Sequence, residues 1–312
     1  MIRELRASDA ETLLKLMVEE FPEENRIIGF RPEGVRAIVQ RLFRWDARIF
    51  LGLLRLVGRA AFHLYVIVDG DRVVGTTLLS FTPPTGYLSM VVVDPAYRGR
   101  GYARQLIEKA RTTSGKRGRP YVALDVLEQN APARRLYETS GYRPLRTVAY
   151  LVRPDVAGAA PPSAPPPFVR PFRSADARPL AALAQRLAPP EVDRVLPIRP
   201  QNLLGGDSVD RMLGNTAASF VIDRGRGPEG HVAAVTSPAT DAAHLSTPIL
   251  GDGVAPEAAA ALLATAHRWL VGRGPARVVT MVPEYLPRTR AALEEAGYRE
   301  ALRLLTLYRS SA

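Results

Sequence analysis

A proline-rich segment in the middle of the chain limits most strongly what it can fold into. The segment PDVAGAAPPSAPPP runs from Pro154 to Pro167, and five of its prolines fall within seven consecutive positions. Proline lacks the backbone N–H and fixes φ, so such a run is excluded from helix interiors and central strands and forms an extended, semi-rigid linker. We therefore predict a linker at 154–167 between a domain at 1–153 and a domain at 168–312, each near the usual size of roughly 150 residues.

The sequences on either side of this linker resemble each other. Residues 2–16 and 169–183 share six identities in fifteen positions, and residues 134–143 (RRLYETSGYR) align with 290–299 (RAALEEAGYR). The identical residues at the two starts are Arg3, Arg6, Asp9, Ala10, Leu13 and Leu16, which recur as Arg170, Arg173, Asp176, Ala177, Leu180 and Leu183. Self-similarity of this kind indicates two divergent copies of one fold, here named the first copy (1–153) and the second copy (168–312). Chance similarity between segments rich in Arg and Ala is the alternative.

Hydrophobic periodicity in the first copy predicts strands and helices in a mixed α/β layer. Asp69-Gly70-Asp71 between two alternating apolar runs is a strong hairpin signal. The other predicted elements are a strand at 2–6, a helix from Ser8 or Asp9 to about Glu20, helical structure over 31–59, strands at 88–93 and 121–126, helices at 101–113 and 131–140, and one or two strands over 142–152.

Several classes of protein are excluded by what the sequence lacks. The chain has no cysteine, which excludes disulfides, thiolate metal sites and an acyl-enzyme formed on a cysteine, and we expect no metal. The start, MIRELR, is not a signal peptide, so we expect a cytoplasmic protein. The most apolar stretch, 49–68, contains two arginines and a histidine, so we expect no membrane span.

The formal net charge of +11 belongs mainly to the first copy. Residues 1–153 hold 25 Lys and Arg against 16 Asp and Glu, whereas residues 154–312 hold 17 against 15. Such a surplus suits nucleic acid, a membrane surface or a polyanionic small molecule. Only three of the 42 cationic residues are lysines, so an arginine-rich composition is an equally good explanation.

The segment from Val91 to Ala103, VVVDPAYRGRGYA, predicts a strand, a glycine-containing turn and a helix start. Such a corner binds phosphate, because glycine lets the backbone approach an anion and the first helical turn presents free N–H groups. The third glycine of a dinucleotide fingerprint is missing, since Arg104 takes its place, and no nucleotide P-loop ending is present. On its own, the corner is equally typical of an ordinary strand-to-helix turn.

The surrounding motifs make the signal specific. Arg98-x-x-Gly101-x-Ala103 is followed by a strand, by Asn130-x-x-Ala133, by Leu136-Tyr137-Glu138 and by Gly141-Tyr142. This arrangement resembles the GNAT superfamily of acyl-CoA-dependent N-acetyltransferases over essentially all of the first copy. The resemblance implies two tandem GNAT-like α/β domains, each a mixed, mostly antiparallel sheet flanked by helices. It also implies transfer of an acetyl group from acetyl-CoA, as co-substrate, to a primary amine within a ternary complex.

The resemblance also assigns roles to residues. The strand at 91–93 would separate from the strand at 121–126 so that pantetheine inserts between them, and a backbone amide near Val93 would stabilise the oxyanion. The implied cofactor-binding residues are Val91, Val92, Val93, Arg98, Gly99, Arg100, Gly101, Tyr102, Ala103, Arg104 and Asn130. Tyr137 would be the general acid beside the sulfur. The plainer alternatives are a core tyrosine at Tyr137 and a helix N-cap at Asn130.

The general base is less clear, because the position at which many relatives have a glutamate is occupied by Asp125, which is one methylene shorter. Asp125 would act through a water molecule, or it would only bind a backbone group. The acidic residues Glu19, Glu20, Glu23 and Glu24 lie where the resemblance places the acceptor side, although a solvated helix end is the simpler interpretation. The acceptor is expected to be a small-molecule or peptide amine, with no nucleic acid partner and with homodimerisation as a possibility.

The second copy departs from the pattern. Its residues at the positions of Asp125, Asn130 and Tyr137 are Met281, Leu286 and Leu293, and its glycine corner carries Asp252 and Glu257, whose carboxylates would repel phosphate. We therefore expect a degenerate domain that retains the fold and lacks the site. The alternatives to an enzyme are a non-catalytic acyl-CoA-binding regulatory protein and, on charge alone, a nucleic-acid-binding module.

Overall fold

The computed structural model describes residues 1–43, 62–156, 165–203 and 214–311. The part of the predicted helical region beyond residue 43 and the centre of the predicted linker, residues 157–164, lie outside the described residues. None of the helices in the described ranges combines the length and the apolar character needed to cross a lipid bilayer.

Within the described residues, the elements of the first copy follow the predicted order, with one helix more between β1 and β2. They are β1 (Ile2–Glu4), α1 (Ala10–Glu20), α2 (Pro22–Ile28), α3 (Pro32–Phe43), β2 (Phe62–Asp69), β3 (Arg72–Thr82), β4 (Thr85–Val93), α4 (Tyr102–Lys116), β5 (Tyr121–Leu127), α5 (Ala131–Thr139) and β6 (Arg143–Arg153). The predicted hairpin joins β2 to β3, with Gly70 in the left-handed conformation that its turn requires.

The second copy repeats this order in its described residues, except that two short strands stand where the first copy has β4. Its elements are β7 (Val169–Pro171), α6 (Ala177–Leu187), α7 (Pro190–Val195), α8 (Pro200–Leu203), β8 (Thr216–Asp223), β9 (Pro228–Thr236), β10 (Ala242–Leu245), β11 (Ile249–Leu250), α9 (Pro256–Val271), β12 (Arg277–Pro283), α10 (Pro287–Glu295) and β13 (Arg299–Ser310). The fold class predicted from the sequence, two tandem α/β domains with mixed, mostly antiparallel sheets, is confirmed.

A matching ion pair at the start of each copy supports the repeat at the level of side chains. In the first copy the Asp9 carboxylate accepts hydrogen bonds from the Arg3 guanidinium at 2.6 and 2.9 Å and from the Arg6 backbone N–H at 2.7 Å. In the second copy Asp176 accepts from Arg170 at 2.8 Å twice and from the Arg173 N–H at 2.7 Å. Charge-assisted bidentate pairs of this type fix the entry of the chain into the first helix. The conserved arrangement explains why Arg, Arg and Asp recur at these positions.

The two copies share one continuous sheet, because each copy supplies its last strand to the other. The strand order is β1-β2-β3-β4-β5-β13-β6-β12-β10-β9-β8-β7, with β11 paired to β9. Strand β13 of the second copy lies between β5 and β6 of the first copy, and β6 lies between β13 and β12 of the second. The central antiparallel pair of β6 and β13 therefore relates the two copies by a pseudo-twofold axis.

Helices cover both faces of this sheet, and the alternation of side chains along β5 separates the faces. Val122, Leu124 and Val126 pack with α4 and α5 in one core cluster. Ala123 packs instead with Tyr308 of β13 and with Val195 at the end of α7 in a second cluster. Helices α4 and α5 thus cover one face of the first copy's sheet, and α7 of the second copy reaches onto the other.

Candidate active site

Strands β4 and β5 separate partway along their length. They pair in parallel from Thr85 to Leu88 against 121–124, and no pairing follows beyond that point. The separation begins at a β-bulge, where the register of β3 against β4 shifts and Met90 adopts φ of 54°. A left-handed conformation at a non-glycine residue costs on the order of 1–3 kcal/mol and is retained only where the surrounding structure imposes it. The separation leaves the edge of Val91, Val92 and Val93 that faces β5 open to a ligand.

The glycine corner directly follows this open edge. Gly99 and Gly101 have φ of 78° and 77°, and a Cβ placed on either would meet nothing within 4 Å. Gly101 is the N-cap of α4 and supplies no side-chain cap, so the first-turn N–H groups of Tyr102, Ala103 and Arg104 are left for another acceptor. The positive end of the helix dipole lies at the same place. This corner therefore has the backbone chemistry of an anion site.

A cavity of about 510 Å³ joins the open strand edge, the glycine corner and the start of α5. All the residues predicted to bind the cofactor line it except Arg100; the lining members are Val91, Val92, Val93, Arg98, Gly99, Gly101, Tyr102, Ala103, Arg104 and Asn130. Tyr137 also lines the cavity, whereas Asp125 does not. In the described ranges, no group of three or more His, Asp or Glu side chains is placed to hold a metal ion.

The three arginines of the corner have different surroundings. Arg98 donates through Nε to the Val93 carbonyl at 3.1 Å and forms an ion pair with Glu20. Arg104, which lines the cavity, donates to the Thr139 hydroxyl at 3.2 Å. Arg100 is turned away, since it lies 3.3 Å from the Asp69 carboxylate and its guanidinium lies over the Tyr97 ring at 5.0 Å. Arg98 and Arg104 thus add positive charge to the cavity, and Arg100 adds it to the rim outside.

Helix α5 brings Asn130 and Tyr137 to the same cavity. The Asn130 side chain caps the helix by accepting a hydrogen bond from the Ala133 N–H at 3.1 Å, while the residue also lines the cavity, so its capping and its position at the site coexist. Tyr137 lies two turns further on and is 6% exposed. Burial raises the pKa of Tyr137 to about 12, so its phenol is neutral and available as a hydrogen-bond donor at neutral pH.

Asp125 lies on the opposite face of the sheet from Tyr137. Alternation along β5 places it on the side of Ala123, away from the cluster that contains Tyr137. Its carboxylate accepts a hydrogen bond from the Thr306 hydroxyl at 2.6 Å. Burial raises the pKa of Tyr87 well above its usual value, and the nearby negative charge of the Asp125 carboxylate raises it further. The two residues predicted to act in catalysis therefore approach the gap between β4 and β5 from opposite faces.

Glu20 is a cavity residue that the sequence pattern did not distinguish from its acidic neighbours. It ends α1, its side chain is 14% exposed, and its carboxylate pairs with Arg98. Together with Phe21 it lines the cavity. No local motif marks Glu20, because its position at the site depends on how α1 packs on the sheet.

The corresponding corner of the second copy is closed by side chains. Arg288 donates hydrogen bonds to the carbonyls of Asp252 and Val254, and Arg224 donates to the Gly253 carbonyl at 3.0 Å. The corner thus presents carbonyl oxygens to guanidinium groups, and the first residue of α9 is Pro256, which has no N–H to offer an anion.

The gap next to that corner is bridged as well. The Thr247 hydroxyl donates to the Met281 carbonyl at 2.6 Å across the place where β10 leaves β12. Leu286 and Leu293 pack into the core at the positions that Asn130 and Tyr137 hold in the first copy. In the described part of the second copy, side chains therefore occupy positions that are open in the first copy.

Comparison with known proteins gives a family for the first copy. Residues 12–142 match the family described as "Acetyltransferase (GNAT) family". Most of the first copy thus matches the GNAT family of acetyltransferases. A curated relative, the mycothiol acetyltransferase of Beutenbergia cavernae, is 38% identical over 79 residues. That match spans 25% of this chain and 27% of the relative, so it covers little more than a quarter of either protein.

Solved structures extend the fold to the whole chain. A tandem GNAT protein from the clavulanic acid biosynthesis pathway superposes with a TM-score of 0.68 at 17% identity, covering 100% of this chain and 98% of that one. A GCN5-related N-acetyltransferase from Sphaerobacter thermophilus gives a TM-score of 0.63 at 15% identity, covering 100% and 95%. The chain therefore has a tandem GNAT fold, as the sequence predicts.

Proposed function

We propose that the first copy, residues 1–153, is an N-acetyltransferase that transfers the acetyl group of acetyl-CoA to a primary amine in a ternary complex. On this proposal the second copy, residues 168–312, is degenerate and the segment at 154–167 joins the two. The observation that most supports the proposal is the single cavity that contains the open edge of β4, the glycine corner and Tyr137. GNAT proteins in general use acyl-CoA, and the cavity fits such a ligand at each of these three places.

The main-chain groups of the cavity would hold the co-substrate. The open edge of Val91 to Val93 would pair with the amides of pantetheine, and the first-turn N–H groups at Tyr102 to Arg104 would bind the pyrophosphate, assisted by Arg98. The absence of side chains at Gly99 and Gly101 keeps that space free, because a Cβ at either position would point into open volume. Acetyl-CoA supplies a thioester whose carbonyl carbon accepts the amine while the thiolate leaves.

Tyr137 would stabilise the departing sulfur by a hydrogen bond rather than by full proton transfer. A model thiol has a pKa of about 8.5. Burial raises the pKa of Tyr137 to about 12. Complete transfer from this phenol to a thiolate would therefore be uphill by about 5 kcal/mol. A neutral phenol still donates a strong hydrogen bond to an anion in a buried site, and this interaction strengthens as negative charge develops.

Asp125 would act on the acceptor amine from the other face of the sheet. An ammonium group must lose a proton before its nitrogen can attack, and a carboxylate on the acceptor side can bind the cation and receive that proton directly or through water. Asp125 lies across the gap from Tyr137. The group that would deprotonate the amine is therefore separate from the group that would stabilise the leaving sulfur. Both groups can then act at the same time.

The proposal is tested by two measurements on the full-length protein. Calorimetry should give a micromolar dissociation constant for acetyl-CoA, and a screen of primary amines should release CoA with at least one of them. Binding of acetyl-CoA without turnover across the screen would favour the non-catalytic regulatory alternative. Failure to bind acetyl-CoA at all would overturn both functions.

A further inference from the structure

Three polar side chains form a row across the centre of the shared sheet. Arg146 on β6, Thr306 on β13 and Asp125 on β5 lie directly opposite one another in the strand register. The Arg146 Nε donates to the Thr306 hydroxyl oxygen at 3.4 Å, and the Thr306 hydroxyl donates to Asp125 Oδ1 at 2.6 Å. The middle residue belongs to the second copy, and the outer two belong to the first.

The hydrogen bond from Arg146 determines where the hydroxyl proton of Thr306 points. A hydroxyl has one proton and two lone pairs, and the guanidinium of Arg146 can only donate. With Arg146 donating to the oxygen, the single proton is left for Asp125. Tyr87 on β4 lies near the same carboxylate, which raises the pKa of its phenol. The hydrogen bond from Thr306 thus sets the orientation of the Asp125 carboxylate from the neighbouring strand.

Only one of the two symmetry-related rows has charged residues at its ends, which indicates that the fold does not need them. The pseudo-twofold relation places Met281, Tyr150 and Leu302 at the positions of Asp125, Thr306 and Arg146, and these three residues also lie opposite one another. Neither Met281 nor Leu302 carries a charge, and the strands of the sheet still pair through both residues without interruption. A row needed only for packing would not need a charged residue at either end.

Burial divides the members of the network into an interior residue and residues that a ligand can reach. Thr306 has no exposed surface. Asp125, Arg146 and Tyr87 are each partly exposed. A ligand that enters from this face would contact the carboxylate and would not contact the threonine. Any influence of Thr306 on a reaction must then pass through the partly exposed residues that it contacts, Asp125 and Arg146.

We infer that Thr306 of the second copy is a positioning residue for the first copy's active site, which holds Asp125 in the orientation that receives the acceptor's proton. This inference rests on the proposed function. The second copy, on this view, is retained because its last strand completes the acceptor side of a site that it does not itself possess. The acceptor it serves is a cationic amine, bound at the exposed side of the carboxylate.

The test removes the hydroxyl and restores it in the full-length protein. With an amine found by the CoA-release screen, Thr306→Val should lower kcat at least tenfold, because valine fills the same space without a donor. The dissociation constant for acetyl-CoA should stay within twofold of the unmodified protein. Thr306→Ser should restore kcat to within about threefold. Thr306→Ala provides the same loss of the hydroxyl if thermal melting shows that valine is not accommodated.

Two further variants separate positioning from packing. Thr280→Val is the matched control, since Thr280 is a buried strand residue of the second copy whose hydroxyl has no hydrogen-bond partner; its kcat should be unchanged. In an Asp125→Asn background, Thr306→Val should have no further effect, because residues that act through one another are not additive.

The outcomes are distinct. Equal kcat for the Val and Ser variants, or a full tenfold loss in the Asp125→Asn background, would overturn the inference while leaving the acetyltransferase in place. An unmodified protein that binds acetyl-CoA and turns over no amine would overturn the proposed function and the inference with it.

Discussion

The aromatic rings of Tyr137 and Tyr142 meet edge to face, with centroids 5.9 Å apart and 64° between their planes. Burial raises the pKa of both phenols, that of Tyr137 to about 12 and that of Tyr142 further. Tyr137 lines the cavity, whereas the Tyr142 hydroxyl is buried without a hydrogen-bond partner. The pair therefore provides two phenols in similar surroundings, one lining the cavity and the other enclosed in the core.

Replacing Tyr137 with Phe should lower kcat by about 10- to 100-fold and leave the dissociation constant of acetyl-CoA within twofold. The phenol is expected to help only as charge develops on sulfur, and loss of one such donor commonly costs this much or more. Steady-state kinetics with calorimetry measures both quantities. Tyr142→Phe removes a hydroxyl that has no partner, so its kcat should equal that of the unmodified protein. Equal losses in the two variants would assign Tyr137 to packing.

Gly101→Glu should abolish acetyl-CoA binding. The new side chain would occupy the open space at the N-terminus of α4 and place a negative charge where the pyrophosphate is expected. Gly118→Glu is the matched control, because Gly118 follows the other end of the same helix, is also left-handed, and also faces open space. Calorimetry should show no binding for the first variant and unchanged binding for the second. Unchanged affinity in Gly101→Glu would remove the phosphate site from the corner.

The parts of the site that are local in sequence were accessible to prediction. Gly99, Gly101 and Val93 lie within one strand–turn–helix unit, so their proximity follows from short-range geometry alone. The period-2 alternation of Val122, Leu124 and Val126 also contained the signal that Asp125 points to the other face. In both cases the chain itself fixes the relation between neighbours.

The parts that depend on strand exchange were not accessible. Strand β13 pairs with β5, about 180 residues earlier in the chain, and no local pattern selects between two open sheet edges of similar composition. The sequence therefore does not predict Thr306 as a site residue, because nothing distinguishes it from any other threonine in a strand. The sequence does not single out Glu20 for a related reason: the packing of α1 determines which of the four nearby glutamates contacts Arg98.

Because each copy places its last strand among the strands of the other, we predict that neither half of the chain is stable alone. A fragment of residues 1–156 would expose the edge of β5 and lose Thr306, Leu307 and Tyr308, all of which are buried in the full sheet. Expressed separately, residues 1–156 and 165–312 should aggregate or remain unfolded. Expressed together, they should form a 1:1 complex by size-exclusion chromatography and melt in a single transition. A folded, monomeric 1–156 fragment by circular dichroism would contradict the prediction.

Two buried histidines of the second copy should make the protein lose stability below pH 6.5. His231 and His267 are 2% and 1% exposed, and burial lowers the pKa of each to about 4. Between pH 6.5 and about 4 the unfolded chain binds protons that the folded chain does not, so unfolding becomes more favourable as the pH falls. Above pH 6.5 their contribution to stability is fully present. Each histidine is expected to account for about 3 kcal/mol across this interval.

Urea unfolding at several pH values between 4.5 and 7.5 measures the effect. Carboxylates such as Asp176 and Asp223, whose pKa values are lowered by hydrogen bonds from Arg170, contribute mainly below pH 4, so they add little in this window. His231→Leu removes one titrating group whose ring nitrogens have no hydrogen-bond partner, and it should flatten the dependence of the free energy of unfolding on pH. Parallel curves for the variant and the unmodified protein would show that His231 is not responsible, because a group that titrates differently in the two states must change the slope.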